Sequence, residues 1–238
     1  MSIIGISGLA GSGKDTSADF LVDDHRFVKL SFADPLKRIC RDVYDFTDQQ
    51  LWGPSQFRNA KDERYRRPCA GSHEEIPCPD CRGTGVTYLT PREALQRLGT
   101  EWGRHCYPLT WAALAVRIAT TLLENPMARY SQKEGLYYQT PASPLAAARS
   151  HVESKRVQGV VIPDVRFQNE IDTIKNAGGF VFRVTREGSG LEGSSGTHLS
   201  ELEMSGIPDS AFDVVIKNDG TLDELRTRVH QALTITTR

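Results

Sequence analysis

The stretch Gly8-Leu9-Ala10-Gly11-Ser12-Gly13-Lys14-Asp15-Thr16 constrains this chain more than any other, because the apolar run Ile3-Ile4-Gly5-Ile6 feeds straight into it. Strand, glycine-rich loop and helix start, in that order, predict a phosphate-binding loop. Without a Cβ, Gly8, Gly11 and Gly13 permit turns that aim successive amide N–H groups, that of Ser12 among them, at an anion. The helix that starts near Lys14 adds its positive end. Lys14 is then in reach of the β- and γ-phosphates of a nucleotide, and a hydroxyl in the first helical turn can hold Mg²⁺. The usual pattern puts that hydroxyl directly after the lysine; here Asp15 intervenes and the hydroxyl belongs to Thr16.

A length of 238 residues allows a substantial core in one α/β domain carrying insertions. With 29 Lys plus Arg against 30 Asp plus Glu, nothing global argues for nucleic acid or a membrane as main partner. No early apolar stretch approaches a membrane span, and no basic segment followed by a secretory apolar run opens the chain, so a cytoplasmic location is expected. Of five cysteines, Cys69, Cys78 and Cys81 cluster while Cys40 and Cys106 stand alone, which fits a reducing compartment and a metal site better than a disulfide framework.

A helix from Thr16 to Val22 should follow the loop, and the alternation in Phe27-Val28-Lys29-Leu30-Ser31-Phe32 reads as a second strand. It ends in Ala33-Asp34-Pro35-Leu36-Lys37-Arg38, where Asp34 is expected to cap a helix with Pro35 in its first turn. The Gly-Lys-x-Thr spelling resembles nucleoside monophosphate kinases more than GTPases. Ser7-Gly8 through Phe20, followed by Ser31 to Lys37, resembles the deoxynucleoside monophosphate kinases of tailed bacteriophages, a branch of the P-loop kinases. Ligands of parallel sheets gather at the carboxyl ends of strands, so Asp34, Lys37 and Arg38 lie where an acceptor substrate would sit.

From Tyr44 to Thr90 the composition turns to Arg, Asp, Pro and Gly with little apolar periodicity, and reads as an insertion. Arg58, Lys61, Arg64, Arg66 and Arg67 are equally compatible with a solvated face and with anion contacts from a flap. Cys78-Pro79-Asp80-Cys81-Arg82-Gly83-Thr84-Gly85 resembles a zinc knuckle, and Cys69, His73, Cys78 and Cys81 together make a sterically reasonable tetrahedral set. Unliganded thiols remain the alternative, since no second Cys-x-x-Cys pair accompanies the first. This segment lies outside the family resemblance.

Thr90-Pro91-Arg92-Glu93 carries a helix start with a capping box, and the Leu95-Gln96-Arg97-Leu98-Gly99-Thr100-Glu101 string ending in Gly103-Arg104 again resembles the phage kinases. That resemblance implies that Arg104, with Arg97, faces the acceptor phosphate. Trp111 to Leu123 should be a buried helix, and Asn125 to Ser150 a mobile loop followed by a short helix. Gly159-Val160-Val161-Ile162 is a buried strand ending in Pro163-Asp164-Val165-Arg166. An acidic residue there supports Mg²⁺ or its water shell in P-loop proteins, which nominates Asp164, and Arg166 should project into the same crevice. Phe180 to Arg186 is a further strand whose Arg183 and Arg186 resemble lid arginines, followed by a glycine-rich run and by Thr197-His198-Leu199-Ser200-Glu201. Phe212 to Ile216 is the last strand; Asn218-Asp219-Gly220 then turns into a helix, and by the resemblance Asn218 and Gly220 lie near the donor adenine.

These readings combine into an α/β fold, a P-loop NTPase-type parallel sheet flanked by helices, as a single domain over 1–238 with 44–90 as an inserted flap and 183–201 as a lid region. The expected reaction is transfer of the γ-phosphoryl of ATP to a (deoxy)nucleoside 5′-monophosphate, with Mg²⁺ and an optional structural zinc. Lys14, Asp164, Arg183 and Arg186 are the catalytic candidates. A homodimer is left open. Two rivals stand beside this reading: another small-molecule P-loop kinase, of the dephospho-coenzyme A or phosphomevalonate type, and a nucleotide-regulated nucleic-acid-binding zinc protein. The second is disfavoured by the neutral charge and by the absence of aromatic residues among its bases.

Overall fold

A computed structural model of the chain describes residues 2–71, 78, 81–139, 157–190, 203–204 and 206–236. The elements, in chain order, are β1 (Ser2–Ser7), α1 (Lys14–His25), β2 (Phe27–Lys29), α2 (Asp34–Tyr44), α3 (Asp48–Trp52), α4 (Ser55–Asn59), β3 (Arg66–Pro68) and β4 (Val86–Tyr88). There follow α5 (Pro91–Gln96), a π-helix (Arg97–Arg104), α6 (Thr110–Glu124), β5 (Ala128–Ser131), β6 (Gly135–Tyr138), β7 (Gly159–Val165), α7 (Gln168–Asn176), β8 (Phe180–Thr185), β9 (Val214–Lys217) and α8 (Leu222–Thr236). The chain divides into two compact units, Met1–Phe32 with Pro108–Arg238, and Ala33–Tyr107. No helix among the described residues is long and apolar enough to cross a membrane.

The first unit is built on a five-stranded sheet of order β2-β7-β1-β8-β9, parallel throughout. Both faces are buried, so each strand divides its apolar residues by parity. Ile3, Val160, Ile162 and Val181 pack on one face with α6 and α7 through Ala115, Ile118, Ala119, Ile171 and Ile174. Ile4, Ile6, Val161, Phe182 and Val184 pack on the other with α1 and α8 through Ala18, Leu21, Leu225 and Val229. The near-continuous apolar runs of β1 and β7 are thus what a sheet covered on both sides requires. Ala128 to Tyr138, expected as loop, forms the antiparallel hairpin β5–β6. Its turn is allowed by Gly135 at φ 82°, and Ala128, Tyr130 and Leu136 join the α6 side of the core. The short helix expected after it, from Leu145, lies outside the described residues.

The second unit has its own apolar cluster, Cys40, Phe46, Leu51 and Ala94, edged by Tyr44, Trp52, Tyr65, Leu89, Leu95 and Leu98. The expected paucity of apolar order from Tyr44 onward is therefore corrected for its first part. Phe46, Leu51 and Tyr65 are spaced too irregularly to show a period, yet short helices bring them together. Asp34 is not the cap of α2: Ala33 takes that place, and Asp34 sits buried in the first turn. Thr90 does cap α5, accepting from the Glu93 N–H at 3.1 Å, but Glu93 turns its carboxylate to Arg67 and Arg97 rather than completing a capping box.

Buried Asp62 organises the turn before β3. It accepts from Arg64 Nε and Nη2 at 2.9 and 2.8 Å, from the Arg64 N–H at 3.1 Å and from Gln50 Nε2 at 3.1 Å. The Arg64 guanidinium, working against burial and helped by Gln50, holds the carboxyl below its ordinary value of 3.8, at about 2. A depressed folded-state pKa contributes stability that is fully present well above the ordinary value of 3.8 and is lost as pH falls from there through about 2. Asp62→Ala should cost this unit about 1–3 kcal/mol, because the donors of Gln50 and Arg64 lose their acceptor. Trp52 fluorescence followed through denaturant at pH 7 and at pH 2.5 checks this: the gap between the two proteins should narrow at the lower pH.

Candidate active site

The candidate site of the first unit grows out of the β1–α1 connection. Helix α1 begins at Lys14, and its cap, Gly13, has φ 98° and ψ 12° and offers no side-chain acceptor to the first-turn N–H groups. Those groups are consequently available to a ligand. Gly8 and Gly13 are obligatory for different contacts. A Cβ on Gly8 would lie 2.4 Å from Ser12 Oγ, and one on Gly13 would lie 2.5 Å from Asn218 Nδ2. Ser12 Oγ and Ser7 Oγ are buried without a hydrogen-bond partner among the described residues. Buried hydroxyls of this kind at the floor of a glycine loop fit an anion-binding cradle.

Around this loop lies a cleft of 420 Å³ lined by Gly11, Gly13, Lys14, Asp15, Thr16, Arg186, Asn218, Gly220, Leu222 and Leu225. Most of the donor-side residues expected from sequence therefore share one concavity. Asn218 does more than line it: its Nδ2 donates to the Ser12 carbonyl at 2.8 Å, while its N–H donates to Thr185 O at 2.7 Å, tying the loop to the ends of β8 and β9. Gly190 N–H also reaches back to Ala10 O at 2.8 Å, so the chain leaving β8 returns to the glycine loop. Neither tie has a signature in the sequence. Glu224 closes the N-terminus of α8, accepting from the Thr221 N–H at 2.7 Å and giving its own N–H to Thr221 Oγ1 at 3.3 Å.

Lys14 is 8% exposed, and its ammonium lies 3.7 Å from Asp164 Oδ1. The same oxygen accepts from Arg166 Nε at 2.9 Å. Lys14, Asp164 and Arg166 thus form one charged row at the carboxyl end of β7, beside the loop. Asp164 takes φ 72°, a left-handed conformation that marks a local constraint in a non-glycine residue. Buried Glu170 supports the turn by accepting the N–H groups of Arg166 and Phe167 at 2.8 and 3.2 Å. Thr16 is partly exposed beside the loop, and Asp15 is exposed. Hydroxyl and carboxylate oxygen are the donor types that Mg²⁺ takes, so Thr16 and Asp164 fit that ion.

The sequence signature of deoxynucleotide monophosphate kinases matches residues 146–229, a stretch that contains Asp164, Arg166, Arg186 and Asn218. A provisionally named deoxynucleotide monophosphate kinase of Acanthamoeba polyphaga mimivirus is 31% identical over 229 residues, spanning 96% of this chain and 94% of that protein. This chain belongs to the deoxynucleotide monophosphate kinase family. The deoxynucleotide monophosphate kinases of Enterobacteria phage T4 and Escherichia phage RB69 are 23% and 25% identical, covering 99% and 98% of this chain and 100% of their own. The glycine loop from Gly8 to Lys14 lies outside the signature but inside the long alignments with the two phage proteins.

Within this family frame, one expected lid residue needs correction. Arg183 does not line the cleft: its Nη1 donates to Ile207 O at 2.7 Å and to Asp209 Oδ1 at 3.0 Å, and its guanidinium lies over the Phe212 ring, 5.1 Å from the centroid. Strand parity is the reason. Arg183 shares the face of Val181, where Ile207 and Phe212 also pack, whereas Arg186 lies beyond the end of β8 and reaches the cleft. His198 and Glu201, with the lid segment beyond Gly190, lie outside the described residues, as does His73.

Asp34, Lys37, Arg97 and Arg104 belong to the second unit. Lys37 lies over the Trp52 ring, 5.7 Å from its centroid. Burial pulls its ammonium below the ordinary lysine value, opposed by Asp34 and reinforced by Arg58. Arg97 Nε pairs with Glu93 at 3.0 Å. Arg104 ends the π-helix, whose capping N–H, that of His105, reaches Thr100 O. Helices widened in this way are frequent at functional sites.

Proposed function

We propose that the protein transfers the γ-phosphoryl group of ATP to a deoxynucleoside 5′-monophosphate, giving the diphosphate. One observation supports this reading most: the charged row of Lys14, Asp164 and Arg166 stands beside a glycine-loop cleft that Arg186 also lines. Such a cleft suits a donor triphosphate, and the row beside it suits the phosphoryl group in transit. In this reading the amides around Gly8, Gly11, Ser12 and Gly13 take the donor phosphates, Lys14 neutralises their charge, and Asn218 with Gly220 flanks the base. Thr16, with Asp15 or Asp164, holds Mg²⁺, which supplies charge to the phosphates when bound. Arg186 stabilises charge on the transferring group. Phosphoryl transfer of this kind needs positioning and neutralisation; a monophosphate oxygen is already ionised and requires no base.

Arg166 is assigned to the acceptor phosphate because a guanidinium makes two parallel bonds to such an oxygen pair. Asp34 and Lys37 are assigned to the acceptor because they follow the carboxyl end of β2 in the sequence, and Arg97 and Arg104 by the sequence string that carries them. An ADP-release assay over a panel of nucleoside monophosphates, dephospho-coenzyme A and phosphomevalonate tests the reading. Turnover is expected with one or more deoxynucleoside monophosphates, and Arg104→Ala and Arg166→Ala should each raise KM for that acceptor about tenfold or more, with a smaller effect on ATP. Turnover confined to dephospho-coenzyme A or phosphomevalonate would remove the acceptor assignment. Variants that lose ATP affinity alone would remove these two arginines from the acceptor side.

A further inference from the structure

The three clustered cysteines lie outside the phosphoryl-transfer chemistry, and the fold brings their sulfurs together. Cys69, Cys78 and Cys81 place all three Sγ atoms within 4.8 Å of one another, with Cys69 and Cys78 at 3.9 Å. Zinc–thiolate bonds of about 2.3 Å at a tetrahedral angle put two sulfurs roughly 3.8 Å apart. A disulfide would need about 2.05 Å, and all five cysteines are outside disulfides. We propose that the thiolates of Cys69, Cys78 and Cys81 hold a structural zinc ion.

The surroundings distinguish these thiols from a cysteine that is simply core. Cys40 is fully buried among Phe46, Leu51 and Ala94, and burial pushes its thiol up to about 11. It stays protonated and serves as a small apolar side chain. Cys78 and Cys81 are 4% and 5% exposed, yet neither belongs to that cluster or to the two of the first unit. Arg82 and Gly83 adopt φ 51° and 85°, and the Arg82 N–H returns to Cys78 O at 2.6 Å. The Gly71 N–H points at Cys69 Sγ from 3.4 Å, the kind of support that a negatively charged sulfur takes from backbone. Three sulfur donors and no need for redox change select zinc over the oxygen-seeking cations. His73, the fourth ligand expected from spacing, lies outside the described residues, and the three thiolates carry the proposal.

The ion would fasten a structure that is weak on its own. Strands β3 and β4 form a separate two-stranded sheet of only three residue pairs, Arg66 with Tyr88, Arg67 with Thr87 and Pro68 with Val86. Such a hairpin is marginal in water, and segment 69–85 between its strands adds the entropy of closing a long loop. Zinc bound at Cys69 on one side and at Cys78 and Cys81 on the other shortens that loop while releasing the thiol protons to solvent. The hairpin also carries Arg67, which donates to Glu93 Oε1 at 2.5 Å and lines a 640 Å³ cleft with Lys61, Cys69, Tyr88 and Arg97. The metal therefore holds one wall of a basic cleft in place.

Elemental analysis of the full-length protein, purified without chelators, should find about one zinc per chain. Cys78→Ser and Cys81→Ser should lower this to less than about a tenth, while Cys40→Ser and Cys106→Ser leave it unchanged. Chelation should speed amide exchange at Arg66, Arg67 and Val86–Tyr88 by about tenfold or more, with β1 and β7 unaffected. If the serine variants prove insoluble, a mercurial titration of the unmodified protein replaces them: zinc should be released as three thiols are consumed. The proposal is overturned by protein that neither carries zinc nor takes it up when reduced, by zinc retained in both Cys78→Ser and Cys81→Ser, or by a Cys69–Cys78 disulfide in freshly prepared protein.

Discussion

Lys14→Met should lower kcat for phosphoryl transfer by more than about 100-fold while leaving the thermal unfolding transition close to that of the unmodified protein. Lys14 is the loop cation nearest the reacting phosphates in the proposed reaction, and methionine keeps its length and apolar stem while deleting the charge. Its ion pair with Asp164 at 3.7 Å is longer than a hydrogen bond and reaches a carboxylate whose side chain is 41% exposed, so the fold loses little when it goes. Asp164 also keeps its bond from Arg166. Kinetics alone would not separate lost chemistry from lost binding, so ATP affinity should be measured alongside by isothermal titration. A variant that binds ATP within about tenfold of normal but turns over 100-fold more slowly matches an interaction strengthened in the transition state. Near-normal turnover would remove Lys14 from the reaction.

The second large effect should come from a single methyl group. Gly13→Ala forces a Cβ into a backbone with φ 98° and puts it 2.5 Å from Asn218 Nδ2 and 3.4 Å from Leu225 Cδ2. That amide nitrogen is the one that donates to Ser12 O, so it cannot swing aside without releasing the loop. Conformational strain of about 1–3 kcal/mol adds to an overpacking cost of similar size. The expected result is a rise in KM for ATP of tenfold or more and a loss in kcat/KM of about 100-fold. Pairing it with Asn218→Ala separates the two causes: the double variant should recover the part due to the clash and keep the part due to φ. An unchanged ATP titration in Gly13→Ala would show that this loop is not the donor site.

The strength of the sequence lay where local chemistry dictates local structure. Ile3 to Ile6, the Gly8 to Lys14 stretch and the Val160 to Ile162 run could form little other than buried strands and a tight glycine turn into a helix. Their side chains or glycines decide backbone conformation within a few residues, and Asp164 and Arg166 were legible because they close such a run. The family strings nominated Arg104 and Arg186, of which Arg186 lines the cleft. What required the tertiary structure involved partners distant in sequence. Asn218 is 206 residues from Ser12, and nothing near either residue records the bond between them. The placement of Arg183 turned on strand parity, which is settled only by which helices cover which face of the sheet. Phe46, Leu51, Cys40 and Ala94 form a cluster without a period because each comes from a different element or turn. The cysteines stand between these cases: spacing nominated Cys69, Cys78 and Cys81, but only the fold could bring their sulfurs within 4.8 Å, since strand pairing across β3 and β4 closes the loop that separates them.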